Sequence, residues 1–245
     1  MLNAFLFGLL STSSLVLGGL LGIWFSVGKR TLGVIMAFGA GVLISAVAYE
    51  LILEAVRHTY GSGATATGIF AGAFTFFLSD MLIAKMGGSD RKAIEGSLQA
   101  RLVVPIVLAI ILDGIPESTV IGLSMLDGGE VSMAMLVAVF ISGLPEAIAG
   151  TTGMRSGGWG AKKILLLWLL IAVICALATP AGYLLIGNAS ENLVAFIQAF
   201  AAGAILMMLA NTMMPEAFAH GGKLAGIFTV LGFVVSVMVV LLERA

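Results

Sequence analysis

Residues 131–154 read VSMAMLVAVFISGLPEAIAGTTGM, and residues 102–125 read LVVPIVLAIILDGIPESTVIGLSM. Neither stretch contains a Lys or Arg, and each is long enough to cross a hydrocarbon core about 30 Å thick, which takes roughly 20 apolar residues in a helix. Strands of a membrane barrel alternate apolar and polar side chains over about ten residues, so these continuous runs are helices. Each also holds a proline followed by a glutamate near its middle. Carboxylates at that depth cost roughly 2.5–3.5 kcal/mol apiece on the insertion scale and so require a reason.

The pattern extends along the chain. Apolar runs bounded by charged or Gly/Ser/Asn breaks give eight spans at about 2–27, 31–56, 64–85, 102–125, 131–154, 164–186, 193–218 and 224–242. Of the 245 residues 60% are hydrophobic and 10% charged, with a mean hydropathy of +1.14. A soluble domain carries about 25% charge, so the fold class is an all-α polytopic membrane protein forming one transmembrane domain over 1–245. A net charge of −1 and short loops exclude nucleic-acid binding and a second soluble domain. The single cysteine, Cys175, lies in an apolar run, which excludes a disulfide framework and a thiolate metal cluster.

Basic residues set the orientation. Connections 1-2, 3-4, 5-6 and 7-8 hold Lys29, Arg30, Lys85, Arg91, Lys92, Arg101, Arg155, Lys162, Lys163 and Lys223, whereas the opposite side holds Arg57 and Arg244. Both termini are therefore expected on the non-cytoplasmic side. The first apolar stretch is too long for a secretory leader and lacks a preceding basic residue, so it reads as a retained helix. The connection Met86 to Ala100 carries both charges and no His or Cys, and reads as a solvated loop.

Seven acids lie inside or at the ends of spans: Glu50, Glu54, Asp80, Asp113, Glu117, Glu146 and Glu216. No Lys or Arg is expected at similar depth to pair with them, which leaves a cation or protons as the neutralising agent. Glu50/Glu54, Asp113/Glu117, Ser142/Glu146 and Glu216/His220 are each four residues apart, on one helical face. Two ionised carboxylates so placed repel, and a divalent ion removes the repulsion by taking both as ligands. Pro116 and Pro145 sharpen the case, since each displaces the carbonyl four residues back, at Leu112 and Ile141, beside Asp113 and Ser142. Carboxylates next to such carbonyls form an all-oxygen donor set suited to a hard or borderline divalent cation. Asp80 and Glu54 lie near span ends, where snorkelling explains them equally well, and His58 and His220 are candidate mouth or exit ligands. Gly18-x-x-x-Gly22 reads as a helix-packing face.

Two segments repeat. Ala37-Phe38-Gly39-Ala40-Gly41 to Glu54-Ala55 in span 2 matches Ala199-Phe200-Ala201-Ala202-Gly203 to Glu216-Ala217 in span 7, with an offset of 162 at every matched position. The two spans run in opposite directions on this threading. An inverted repeat of spans 1–3 and 6–8 around a central proline-kinked pair 4 and 5, a 3+2+3 arrangement, is the expected organisation and a transporter signature.

These features together resemble the ZIP (Zrt/Irt-like) family of divalent metal transporters over essentially the whole chain. The resemblance rests on Gly39 to Leu43 and Glu54-Ala55 in span 2, Pro116-Glu117 in span 4, Pro145-Glu146 in span 5, and Ala202-Gly203 with Pro215-Glu216-Ala217 in span 7. It implies a metal site formed by Asp113, Glu117, Ser142 and Glu146, with Glu50, Glu54, His58, Glu216 and His220 along the way in and out. Asp113 stands where the family usually has His, Gly114 where it has Asn, and Ser142 and Gly143 replace a more polar pair. Gly114 and Gly143 leave no side chain for a second, bridged ion, and span 6 carries none of the acid that some members place there. Carboxylate in place of imidazole shifts preference toward manganese, iron(II) or magnesium, whereas the family resemblance favours zinc.

The expected function is transport of a divalent cation toward the cytoplasm, with zinc, manganese or iron as cargo and no prosthetic group. Expected partners are the ion, the lipid bilayer of a plasma or inner membrane and, as an option, a second copy of the chain. The alternatives are a proton-coupled carrier of another solute and a non-transporting metal-binding relative. An intramembrane metalloenzyme is disfavoured because a zinc-activated water needs a paired-histidine site that two distant histidines do not make.

Overall fold

A computed structural model describes residues 2–58, 63–86, 103–125, 131–186 and 190–243. The polar connection with Arg91, Lys92 and Arg101, and Arg244, lie outside the described residues. Among the described residues eight helices are long and apolar enough to span a membrane. They are α1 Leu2–Trp24, α2 Lys29–His58, α3 Ala64–Lys85, α4 Val103–Ser124, α5 Met133–Ser156, α6 Ala161–Ile186, α7 Glu191–Gly221 and α8 Lys223–Glu243. Among the described residues every regular element is helical. Sharp reversals use glycine where the backbone enters the left-handed region, at Gly158 (φ 84°) between α5 and α6 and at Gly222 (φ 57°) between α7 and α8.

Two groups of four helices form the bundle. In one, α1 packs on α5 and α6, and α6 on α4; in the other, α2 packs on α8 and α7, and α7 on α3. The groups meet chiefly where α2 crosses α5. The 3+2+3 order of the sequence is thus not a spatial grouping. Each terminal triplet is divided between the two groups, and α4 and α5 pack mainly on α6 and α1 rather than on each other. Small residues explain the pairing. A β-carbon added at Gly41 would lie 1.9 Å from the Thr229 carbonyl oxygen, and one at Gly203 would lie 2.0 Å from that of Ile69. Gly232 approaches the Phe38 carbonyl and Gly72 that of Phe200 equally closely, at 2.1 and 1.8 Å for the added atom. In α4 and α6 the same closeness holds between Gly122 and the Thr179 carbonyl, 2.0 Å for the added atom. Backbone meets backbone at these crossings, which is how membrane helices gain packing energy when lipid is as apolar as their side chains.

Helices α2 and α7 share an interruption as well. In α2 the turn Val47–Ile52 is a π-helix, and in α7 it is Leu209–Met213, so both begin at positions separated by the same 162-residue offset. Pro215 accounts for the second, since it cannot donate to the carbonyl four residues back. Residue 53, at the matching position of α2, is Leu, so the first needs another cause, and π turns concentrate at functional sites. Glu50 sits within it.

The outward faces are apolar. Phe70, Phe74 and Leu82 on α3 and Val230, Met238 and Leu241 on α8 are exposed, presenting the surface an integral membrane protein offers to lipid. Inside, several polar groups are satisfied by hydrogen bonds within or between helices. Ser11 and Ser14 donate to the carbonyls of Gly8 and Ser11, and the Trp168 Nε1–H donates to Thr151 Oγ1 at 2.8 Å, joining α6 to α5. Thr151→Val keeps the shape but leaves the buried indole N–H without its acceptor. We expect it to destabilise by about 1–3 kcal/mol, and Thr151→Ser to restore most of the loss, both read from thermal unfolding of the purified protein.

Candidate functional site

Glu117 and Glu146 line one small cavity of about 20 Å³ between the helices of the first group. Space of that size holds about one water molecule, and hence one dehydrated ion. Their positions follow from the matching sequences Asp113-Gly-Ile-Pro-Glu117 and Ser142-Gly-Leu-Pro-Glu146. In each, the helix continues through its proline, and Glu117 and Glu146 are 6% and 9% exposed. Thr12 and Ser14 of α1, Ser118 of α4 and Cys175 of α6 add further heteroatoms to the wall, and Leu15, Ile110 and Val139 make part of it apolar.

The other two expected ligands are placed differently. Asp113 is buried one turn from Glu117 but is not part of the cavity wall. Ser142 is fully buried, and its hydroxyl donates to the Val139 carbonyl at 3.0 Å. It marks where α5 passes α2: a β-carbon on Gly39 would stand 3.2 Å from Ser142 Cα. Among the described residues no three His, Cys, Asp or Glu side chains converge closely enough to hold a metal ion. The arrangement is therefore two carboxylates around a one-ion space rather than an assembled coordination shell. Ionised carboxylates sharing so small a cavity in a low-dielectric interior repel strongly, and a divalent cation entering between them converts that repulsion into attraction.

A second, larger cavity of about 460 Å³ opens where α2, α4 and α8 end and α5 begins. Glu50, Glu54, Gln198 and Glu243 contribute to its wall, whereas His58 does not. Glu54 is paired with Arg57 at 2.8 Å, three residues along the same helix, so the expectation that no basic residue reaches the acids fails there. The reason is that both lie at the helix end, where a long Arg side chain can fold back. Glu243 accepts from the backbone N–H groups of Met133 and Ala134, capping the start of α5 from the end of α8. At the opposite end of α7, Glu216 and His220 stand 3.1 Å apart, a contact that their four-residue spacing allows. Asp80 is half-buried on α3 and lines neither cavity.

Sequence reasoning missed Cys175, Gln198, Glu243 and the polar wall from α1. Two of these had a signal. Ser11-Thr12-Ser13-Ser14 is a polar run inside an apolar span, and Gln198 is an amide in another. Cys175 had none, since its neighbours in sequence are apolar and only the folded helices show what it faces.

The chain matches no family model. It is 26% identical over 188 residues to an Arabidopsis thaliana protein named "Putative zinc transporter", a match covering 76% of this chain and 30% of that protein. The chain thus spans less than a third of that relative's length.

Proposed function

We propose that this integral membrane protein moves a divalent metal cation across the bilayer, with Glu117 and Glu146 holding the ion midway and Asp113 and Ser142 as further oxygen donors when the site closes. One observation carries the reading: two buried carboxylates, each following a proline inside a continuous helix, share a cavity the size of one ion within a largely apolar bundle. The similarity to a plant protein named for zinc transport supports the cargo class. The motif resemblance to the ZIP family is consistent with it. On this reading the basic connections lie in the cytoplasm, both termini lie outside, and the chamber at Glu50 and Glu54 faces outward. The ion enters there, sheds water in steps, and leaves past Glu216 and His220 toward the cytoplasm of a cell bounded by this plasma or inner membrane.

An inverted repeat underlies the cycle. It is supported by the shared 162-residue offset of sequence, of π turns and of the Gly41 and Gly203 crossings. Related halves that exchange conformations expose one central site to each side in turn. Proteoliposomes containing the purified protein should accumulate radioactive zinc or manganese in a saturable way above empty vesicles. Binding without accumulation would instead identify a metal-binding protein that does not transport.

A further inference from the structure

Both proline motifs carry a glycine between their polar residue and the proline, and in each the missing side chain leaves room for a group from another helix. A β-carbon at Gly114 would stand 2.6 Å from Cys175 Sγ of α6, and one at Gly143 would stand 2.5 Å from Ser14 Oγ of α1. No such atom exists, so the thiol and the hydroxyl occupy the space and both residues line the cavity of Glu117 and Glu146. Cys175 is fully buried and is a free thiol. Beside it in the same wall, Ser118 is 1% exposed and its Oγ has no hydrogen-bond partner among the described residues. An unmatched buried hydroxyl costs free energy unless a ligand supplies the missing interaction. Thiol, hydroxyl and two carboxylates thus surround a space for one ion.

We propose that Cys175 Sγ is drawn in as a direct ligand when the site closes on the transported ion, since the thiol and the two carboxylates line one cavity without yet converging on a point, and that it makes the site prefer zinc or cadmium to manganese and magnesium. The inference rests on the transport reading above and adds a soft donor to a site that its sequence motifs present as all oxygen. Thiolate favours zinc-like ions, whereas carboxylate, hydroxyl and water suit manganese and magnesium. On binding, the Sγ–H bond breaks as the Sγ–metal bond forms, and the proton leaves to water. Gly114 acts with it: the absent side chain on α4 is what admits the thiol from α6.

The test is X-ray absorption at the zinc edge on the full-length protein, purified and loaded with zinc alone. A sulfur neighbour at about 2.3 Å is expected, absent from Cys175→Ser, which still binds zinc through oxygen. The zinc-to-manganese affinity ratio of that variant should fall about tenfold, equivalent to about 1.4 kcal/mol. A shell of oxygen or nitrogen alone at about 2.0–2.2 Å in the wild type overturns the proposal and leaves the transport reading standing. Sulfur persisting in Cys175→Ser also overturns it, because the scatterer is then another residue. Failure of the wild type to retain zinc overturns both. The wild-type spectrum decides the matter even if the variant does not fold.

Discussion

Glu117→Ala and Glu146→Ala should each reduce zinc uptake into proteoliposomes to the level of empty vesicles. Each substitution removes one of the two carboxylates that line the central cavity. Loss of an outer-shell partner alone typically costs 10–100-fold in metal affinity, and loss of a direct ligand costs more. Misfolding is separable from loss of the site. In the metal-free protein the two carboxylates are a burden to the apolar interior, so Glu117→Gln and Glu146→Gln should leave its thermal midpoint unchanged or raise it. Zinc should raise the wild-type midpoint, logarithmically with concentration once it exceeds Kd, and should no longer do so in either variant. Uptake that survives in both alanine variants rules out this cavity as the route.

The second large effect is on the bundle itself. Gly41→Ala and Gly203→Ala each place a methyl group about 2 Å from a backbone carbonyl oxygen of the partner helix. Overpacking of a core usually costs about 1–3 kcal/mol because side chains can shift, but a backbone atom in a packed helix moves only if the whole helix does. We expect both variants to lose at least the upper part of that range, seen as a lowered thermal midpoint and reduced yield of monodisperse protein. The two losses should be similar, because Gly41 of α2 against α8 and Gly203 of α7 against α3 would bring the added methyl equally close to a carbonyl oxygen, at 1.9 and 2.0 Å. Gly226→Ala is the control. Nothing lies within 4 Å of the position its methyl would take, so stability should hold or rise slightly with the better helix former.

The eight helices begin and end within three residues of the apolar runs, because hydrocarbon thickness fixes how long such a run must be. The two glutamates of the central cavity were legible for a similar reason: a Pro-Glu pair in mid-span is costly enough to stand out, and two copies at one spacing more so. What could not be read was which helices pack together. The alternation of α1, α4, α5 and α6 against α2, α3, α7 and α8 depends on glycines whose partners are remote in sequence, such as Gly41 with Thr229 and Gly122 with Thr179. For that reason Gly114 and Gly143 read as ligands lost, whereas in the fold they are openings filled by Cys175 and Ser14. At Ser142 the spacing does not show what the hydroxyl does. Four-residue spacing from Glu146 places it on the same face, but its hydroxyl is turned to its own helix and meets Val139. Serine in a membrane helix has that option, whereas a carboxylate does not.

Anomalous diffraction at the zinc edge from crystals of the zinc-loaded protein tests the central claim most directly. The account predicts a zinc peak in the cavity between α4 and α5, with a carboxylate oxygen of Glu117 and one of Glu146 each at about 2.0–2.2 Å. Zinc found only in the outer chamber beside Glu50 and Glu54, with the central cavity empty of metal, would contradict it.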